Sequence, residues 1–293
     1  MFHQPVLLSE TLNIIQPYSN QTIIDATLGN GGHSLAFLEQ GATVYGIDAD
    51  PHNLEIAQQR IKEANLSTKF HPILDNFSNL KDIYQQKIKT KIDCLFFDLG
   101  LSRNQQKAQN RGFSFNDTQS LDMRLNPQQQ LTAEEIINTY SFEQLHQIFT
   151  KIGQQPSSRP LIHYLIKQRQ KKPIHNSAQL AQIISDFYQK KQIKSKIHPA
   201  TKILMSLRIV VNQEFQNLKL ALQTSLNILN PQSKVIIISF HSGEDRIVKL
   251  FIKNKNRKGL ITPINKKAIS ANNQEITSNP LSRSAKLRAF IIN

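Results

Sequence analysis

A glycine-rich turn near the start of the chain has the residue types of a nucleotide-binding loop. Residues 25–33 read Asp-Ala-Thr-Leu-Gly-Asn-Gly-Gly-His, and they join a predicted strand at 22–25 to a predicted helix at 34–38. Glycine lets the backbone approach a ligand closely, and the free N–H groups at a helix N-terminus attract an anion. The turn therefore predicts a backbone site for an anionic group.

An acidic residue follows the turn at a spacing typical of dinucleotide-type folds. Asp48 ends the second predicted strand, 43–48, and lies 19 residues after Gly29. A carboxylate at this place accepts the hydroxyl groups of a ribose. The alternative is an ordinary glycine turn beside a solvated aspartate.

The loop departs from the Gly-x-Gly-x-x-Gly pattern of pyrophosphate binders. Gly31-Gly32-His33 replaces the last positions, and Asp25, which precedes the glycines, would repel a pyrophosphate but attract an ammonium group. S-adenosylmethionine carries both an amino group and a carboxylate at its methionine end, so the loop predicts this cofactor. Phe77 follows the third predicted strand and would offer an aromatic face to adenine, unless it is a core residue.

Residues 21–97 alternate short β-rich runs with longer polar helical segments, which is typical of βαβ units and a parallel sheet. From about 101 to 197 no strand is predicted, and Thr132 and Ser141 begin capping-box patterns there, while Ser177 is expected to cap a helix at 178–188. The α/β pattern then resumes. Its predicted elements are a third strand at 69–73 with Pro72 at an edge or strand end, a fourth at 92–98, a long helix at 200–229, a strand at 234–240, a helix capped at Ser242, and strands at 260–264 and 287–292.

The overall charge favours a polyanionic partner. The 293 residues include 36 Lys and Arg against 21 Asp and Glu, a net charge of +15. General codon bias is the alternative explanation. The single cysteine, Cys94, lies in an apolar run, so it predicts a buried, inert thiol and a reducing compartment, and it excludes disulfides or a cysteine zinc site within one subunit.

Neither a membrane nor a metal is expected. The first residues lack the basic region of a secretory signal, and no run approaches the roughly 18 apolar residues that a membrane span needs. The nine histidines lack the His-x-x-x-His and His-Glu-x-x-His spacings of metal ligands. We expect a cytoplasmic protein.

Ten short blocks, in order and spread over nearly the whole chain, carry a family resemblance. They lie at 3–8, 25–33, 97–102, 111–115, 121–124, 198–201, 207–212, 239–242, 244–249 and 283–288. Together they resemble the ribosomal small-subunit RNA methyltransferase H family, whose members methylate N4 of a decoding-centre cytosine in 16S rRNA. The resemblance implies an α/β fold: a Rossmann-like sheet of the S-adenosylmethionine-dependent methyltransferase type, with an inserted all-helical domain.

The same resemblance implies the domains, the partner and the cofactor site. The methyltransferase domain would comprise 1–104 and 199–293, the helical domain 105–198, and the partner would be 16S rRNA within the small ribosomal subunit. Family contacts to S-adenosylmethionine fall on matching residues: Gly31, Gly32, His33, Asp48, Phe77, Asp98 and Gln105. The chain departs from the family at Arg103-Asn104, Gln154-Gln155, Gly243 and Leu281, which bears on substrate affinity rather than on chemistry.

Asp98 is the principal catalytic candidate. Methyl transfer to an amine is chiefly a positioning task, and an acceptor oxygen near cytosine N4 can orient the amine and stabilise its developing positive charge. Asp98 ends the fourth predicted strand, in the crevice where open α/β sheets bind ligands. Alternatively, it contacts only the cofactor or caps the following turn.

Four further residues are candidates for binding the substrate. His241 and Ser242 follow the fifth strand at the same sheet edge, where they contact the base or ribose, or else only cap and pack the next helix. Arg283 and Lys286 are candidate phosphate ligands, and His3 is an ambiguous candidate for covering the cofactor.

Two other functions fit the pattern less well. The first is a noncatalytic RNA-binding or ribosome-assembly protein that retains a cofactor loop. The second is a Rossmann-type oxidoreductase, which Gly31-Gly32-His33 and the lack of an evident hydride-site acid and base disfavour.

Overall fold

The computed structural model describes residues 4–16, 19–107, 110–155 and 158–293, so His3 lies outside the described residues. The chain forms two compact units, an α/β unit of residues 1–102 and 215–293 and a helical unit of residues 103–214. The first boundary falls after Ser102 rather than after Asn104, and the second after Glu214 rather than after His198.

The α/β unit contains one seven-stranded sheet in the order β3-β2-β1-β4-β5-β7-β6. Strands β1 to β5 pair in parallel, whereas β7 is antiparallel to β5 and β6. All seven predicted strands are present; β1 and β2 have the predicted bounds, and the ends of the other strands differ from the prediction by one or two residues. They are β1 Thr22–Asp25, β2 Thr43–Asp48, β3 Phe70–Leu74, β4 Cys94–Asp98, β5 Lys234–Ser239, β6 Ile261–Pro263 and β7 Lys286–Ile292.

Thirteen α-helices are present in the described part of the chain. Six of them, α5 to α10, lie in the helical unit, where no strand is described. In chain order they are α1 Leu8–Ile15, α2 Gly32–Glu39, α3 Pro51–Glu63, α4 Leu80–Ile83, α5 Arg103–Lys107, α6 Ala133–Thr139, α7 Phe142–Gln147, α8 Ser158–Lys171, α9 Ser177–Lys190, α10 Thr201–Val211, α11 Glu214–Ile228, α12 Ser242–Arg257 and α13 Asn273–Ser278.

The sheet is buried on both faces because its central strands alternate apolar side chains between two cores. Leu95 and Phe97 of β4 pack in one core, and Phe96 packs in the other. The buried thiol of Cys94 joins the second core, and burial raises its pKa, as expected for an inert cysteine. Pro72 is tolerated because β3 is an edge strand.

This topology sets the position of the ligand crevice. The carboxyl ends of β1 to β5 meet at one edge of the sheet, and the strand order reverses between β1 and β4. Open α/β sheets bind ligands at such a switch point. Asp25, Asp48 and Asp98 each end a strand at this edge.

Hydrogen bonds from distant segments break the predicted long helix at 200–229 into α10 and α11. The side-chain amide of Asn212 donates to the Met123 carbonyl at 2.8 Å, and its oxygen accepts the Leu125 N–H at 2.8 Å. Gln213 then takes the left-handed conformation, with φ +51°. Because α10 packs into the core of the helical unit, this break also moves the unit boundary to 214.

Two predicted helix caps are wrong by one residue. Asn176, not Ser177, caps α9, because its side chain accepts the N–H of Gln179 at 2.9 Å. His241, not Ser242, caps α12. The predicted cap at Thr132 is present, and Ser141 with Gln144 forms a complete capping box. Among the described residues, no helix is long and apolar enough to cross a membrane.

Candidate active site

Asp25 shapes the glycine loop from inside. Its side chain is only 1% exposed, accepts the Ser34 hydroxyl at 2.7 Å and accepts the Thr27 N–H at 3.2 Å. Burial raises its pKa to about 6. Because its oxygens bind the loop and α2, this geometry does not support the expected direct attraction of an ammonium group.

Asp48 ties the glycine loop to α3. Its carboxylate accepts N–H groups from Gly29 and Asp50, each at 2.8 Å, and from the Asn53 side chain at 3.2 Å. Burial is the largest influence on this carboxyl group and raises its pKa to about 7. Asp48 remains partly exposed, so a ribose role stays a prediction beside this structural one.

Gly31 and Gly32 allow neighbouring segments to pack closely against the loop. Gly31 has φ +71°, and a Cβ there would lie 3.0 Å from the Cβ of Ala57 on α3. A Cβ on Gly32 would lie 2.8 Å from the Cγ of Pro5. The hydrogen atoms in these positions therefore face α3 and the N-terminal segment, and what the loop offers a ligand is its backbone.

The N-terminus of α2 can receive an anionic group. Gly31 is the N-cap residue, and no side chain of the described residues caps this helix. The first N–H groups of a helix lack partners within it and carry a partial positive charge. This end of α2 fits the carboxylate of the methionine moiety of S-adenosylmethionine.

His33 and Asp98 face each other at the switch point. Nε2 of His33 lies 3.6 Å from Oδ2 of Asp98, too long for a hydrogen bond. Burial lowers the pKa of His33 to about 3, so its ring is neutral at ordinary pH. The ring packs against Phe96, with centroids 4.6 Å apart.

Asp98 is held in place through its backbone, and one oxygen of its side chain has no partner among the described residues. The backbone N–H of Asp98 donates to the Thr27 hydroxyl at 2.6 Å. Oδ1 is buried and has no hydrogen-bond partner among the described residues. Burial raises the pKa of Asp98 well above its usual range, and the charges of Asp25 and Glu244 raise it further. Oδ1 is thus a buried polar atom that a ligand in the crevice can reach as a hydrogen-bond partner.

Two predicted cofactor residues lie in different compact units. Phe77 starts a short 3-10 turn in the α/β unit, is partly buried, and meets Phe97 edge-to-face with centroids 5.7 Å apart. It is thus a rim residue of the core that retains some exposed surface. Gln105 belongs to α5 of the helical unit and is buried.

The candidate substrate residues follow β5, precede β7 or begin β7. His241 is the N-cap of α12, its Nε2 lies 3.1 Å from Oε1 of Glu244, and its ring lies 5.6 Å from that of Phe215. Ser242 is exposed in the first turn of α12. Lys286, aligned with Ser239 of β5, is half exposed, with its Nζ 3.8 Å from Asp245. Arg283 is exposed in a 3-10 turn, 280–284.

Three structural supports of the site are additional to the sequence-based candidates. Thr27 holds the backbone of Asp98, and Asn53 accepts the Ser102 hydroxyl at 2.9 Å. Glu244 is 3% exposed and accepts the Phe240 N–H at 2.9 Å. Of these three residues, only Glu244 could have been identified from the local sequence, since a glutamate at the third helical position is typical of a capping box.

The strand order and the ligand crevice at its switch point indicate the class of protein, and the family match reported below agrees with it. This fold and this crevice are those of a Rossmann-like methyltransferase, and S-adenosylmethionine is its methyl donor.

Comparison with known proteins agrees with this class. The model of the MraW methylase family matches residues 1–292, and the chain therefore belongs to that family. A protein of Brachyspira hyodysenteriae named ribosomal RNA small subunit methyltransferase H is 37% identical over 290 residues, which cover 98% of this chain and 95% of the relative. A protein of the same name from Halothermothrix orenii is 36% identical over 304 residues, covering 98% and 97%.

A solved structure supports the fold alone. It is a Clostridium thermocellum protein described as a candidate rRNA methylase, with a TM-score of 0.50, 12% identity and complete coverage of both chains.

Proposed function

We propose that this protein transfers a methyl group from S-adenosylmethionine to N4 of a decoding-centre cytidine in 16S rRNA of the small ribosomal subunit. The names of its relatives support the rRNA substrate, and the family resemblance supports the cytosine. The structural observation that carries the proposal is the buried, unpartnered Oδ1 of Asp98 at the switch point. An exocyclic amine is a donor suited to that acceptor.

In this mechanism, Asp98 orients the amine and receives its proton. Bound S-adenosylmethionine would supply an electrophilic methyl group, exchanging its S–C bond for the new N–C bond and leaving as S-adenosylhomocysteine. The N4 lone pair is delocalised into the ring, so a carboxylate that accepts an N–H of the amine directs it toward the methyl carbon. The same carboxylate stabilises the positive charge that develops on N4.

The raised pKa of Asp98 suits this residue to receiving the proton of the amine. A carboxyl group that titrates far below neutrality would be a weak base at neutral pH, whereas burial and the charges of Asp25 and Glu244 make Asp98 a stronger one. The neutral ring of His33 adds no positive charge that would oppose this shift.

The remaining site residues have binding roles in the proposal. Gly31, Gly32 and His33 would receive the methionine carboxylate, Asp48 the ribose and Phe77 the adenine. Gln105 stays a predicted cofactor residue. His241, Ser242, Arg283 and Lys286 would contact the RNA. Because the substrate is ribosomal, the protein would act in the cytoplasm.

The proposal is tested by tritium transfer from labelled S-adenosylmethionine onto small subunits that lack the modification. Digestion to nucleosides should place the label in N4-methylcytidine. An Asp98→Asn protein serves as the matched control, since it keeps the shape of the site. Labelling of another nucleoside would refute the base assignment, and cofactor binding without any transfer would favour the noncatalytic alternative.

A further inference from the structure

The outer face of α12 carries a stripe of cations that leads away from the candidate active site. Ser242, Arg246, Lys249, Lys253 and Arg257 follow one another at intervals of four, three, four and four residues. At about 3.6 residues per turn, this spacing places them on one side of the helix. All five residues are exposed. We call the four charged residues the α12 stripe.

The stripe lies opposite the face that α12 buries. Val248 is buried in the core of the α/β unit, and Ile247, Phe251 and Ile252 pack against it. The only carboxylates of the helix, Glu244 and Asp245, are 3% and 9% exposed. Both carboxylates are engaged inside the unit, so they do not neutralise the outer face.

The charges of the stripe are available to a partner. Within the described residues, its four side chains make no hydrogen bond and no ion pair, whereas Asp245 binds Arg288 with Nε 2.7 Å from Oδ1. Long cationic side chains that no carboxylate accompanies repel one another, and an anionic partner would remove that repulsion.

A lysine-rich composition alone does not produce this arrangement. Helix α3 belongs to the same unit and mixes both signs, with Glu55 and Glu63 beside Arg60 and Lys62. Helix α11 has one lysine, Lys219, in 15 residues. Compared with α3 and α11 of the same unit, α12 therefore has the one-sided cationic face.

The position of the stripe connects it to the site. α12 starts at Ser242, directly after the carboxyl end of β5, and Ser242 is a candidate substrate contact on the same face. From Arg246 to Arg257 the helix advances about 16 Å at 1.5 Å per residue. An extended polyanion held along it would have one end at the crevice.

We propose that the α12 stripe is a phosphate-binding track for the RNA strand that flanks the target nucleotide. This inference rests on the proposed function and identifies a contact surface for its substrate. An anionic membrane fits the surface less well, because interfacial helices insert an apolar face and that of α12 is buried in the unit.

The test replaces three stripe residues distant from the site, in the variant Lys249→Gln/Lys253→Gln/Arg257→Gln. The control, Lys62→Gln/Lys81→Gln/Lys87→Gln, removes the same charge from exposed positions of the same unit. Filter binding to 16S rRNA is measured at several salt concentrations. Each lost phosphate contact should lower the slope of log affinity against log salt by roughly 0.7 to 0.9, and affinity should fall about tenfold or more in the stripe variant only.

Methyl transfer gives a second readout. The stripe variant should show a raised KM for small subunits with a nearly unchanged kcat. Equal RNA affinities and salt slopes for the two variants would overturn the track. So would binding of the parent to phosphatidylglycerol vesicles that the stripe variant loses while its RNA affinity is unchanged. If the parent transfers no methyl group but the stripe variant alone loses RNA binding, the proposed function fails and the track stands.

Discussion

The imidazole of His33 and the carboxyl of Asp98 lie 3.6 Å apart, nitrogen to oxygen, at the point where the sheet reverses its strand order. Burial drives both groups toward their neutral forms, since it lowers the pKa of His33 and raises that of Asp98. The two side chains are therefore neighbours without being an ion pair. A cationic ligand would change this balance by favouring the Asp98 carboxylate.

Asp98→Asn tests whether this carboxyl acts in the reaction. Asparagine keeps the shape and one acceptor oxygen but removes the negative charge, so single-turnover transfer at saturating S-adenosylmethionine should slow by roughly 10² or more. Cofactor affinity by calorimetry should fall much less. Because the carboxylate is the active form, the parental rate should rise with pH through the raised pKa, and the variant should lack this rise. A variant that binds cofactor tenfold more weakly but reacts at the parental rate would make Asp98 a cofactor residue only.

His33 should make the free protein sensitive to mild acid. Unfolded histidine titrates near pH 6.5, whereas the pKa of His33 in the folded protein is lowered to about 3, so the unfolded state binds more protons between these values. Its contribution to stability is complete above about pH 6.5 and is lost as the pH falls toward 3. At pH 5.5 the loss is about 1.4 kcal/mol.

Urea unfolding of the parent and of His33→Gln at pH 7.5 and 5.5 measures this loss as a pH-dependent difference. His52→Gln, at an exposed position, is the control and should preserve the parental pH dependence. A constant difference between His33→Gln and the parent at the two pH values would contradict the buried neutral state.

Gly31→Ala should destabilise the loop through its contact with α3. The new Cβ would lie 3.0 Å from that of Ala57 and would sit at φ +71°. Gly259→Ala is a matched control, since Gly259 has φ +68° and no atom lies within 4 Å of the position that its new Cβ would occupy. We expect a loss of about 1–2 kcal/mol at Gly259 from the backbone alone and a larger loss at Gly31.

The Ala57→Gly change tests whether the additional loss of stability in Gly31→Ala comes from the contact with Ala57. In the Gly31→Ala background it removes the opposing methyl group, so the interaction energy of the double-mutant cycle should be favourable. Equal losses at Gly31 and Gly259, measured by urea unfolding, would show that the backbone conformation accounts for the whole effect.

Asp48→Asn and Asn53→Ala separate two roles of Asp48. Asn53→Ala removes one bond that holds the Asp48 carboxylate without touching the predicted ribose contact. If Asp48 binds the ribose, Asp48→Asn should weaken S-adenosylmethionine binding by about tenfold or more, and Asn53→Ala much less, since bonds to charged groups contribute about 1.5–3 kcal/mol. Equal losses of S-adenosylmethionine affinity in the two variants, measured by calorimetry, would show that Asp48 only holds the loop.

Much of this protein is specified locally in its sequence. The strands β4 and β5 are continuous apolar runs that need burial on both faces, and Asp50-Pro51 starts α3 through a side-chain cap and a fixed proline φ. The glycine turn and the acidic strand ends at Asp48 and Asp98 can also be predicted from the sequence, because strand ends and turns depend on nearby residues. The family could be recognised from blocks that retain these local patterns.

Only the tertiary structure decided how these groups meet. The sequence could not show that Asp25 faces inward, or that Gly31 is required by Ala57 of another helix. The break between α10 and α11 depends on hydrogen bonds from Asn212 to Met123 and Leu125, far away in the chain. Likewise, the raised pKa of Asp98 arises from burial and from the charges of Asp25, at the end of β1, and Glu244, in the first turn of the helix that follows β5. Burial and charge interactions depend on distance in space, and residue spacing along the chain does not encode that distance.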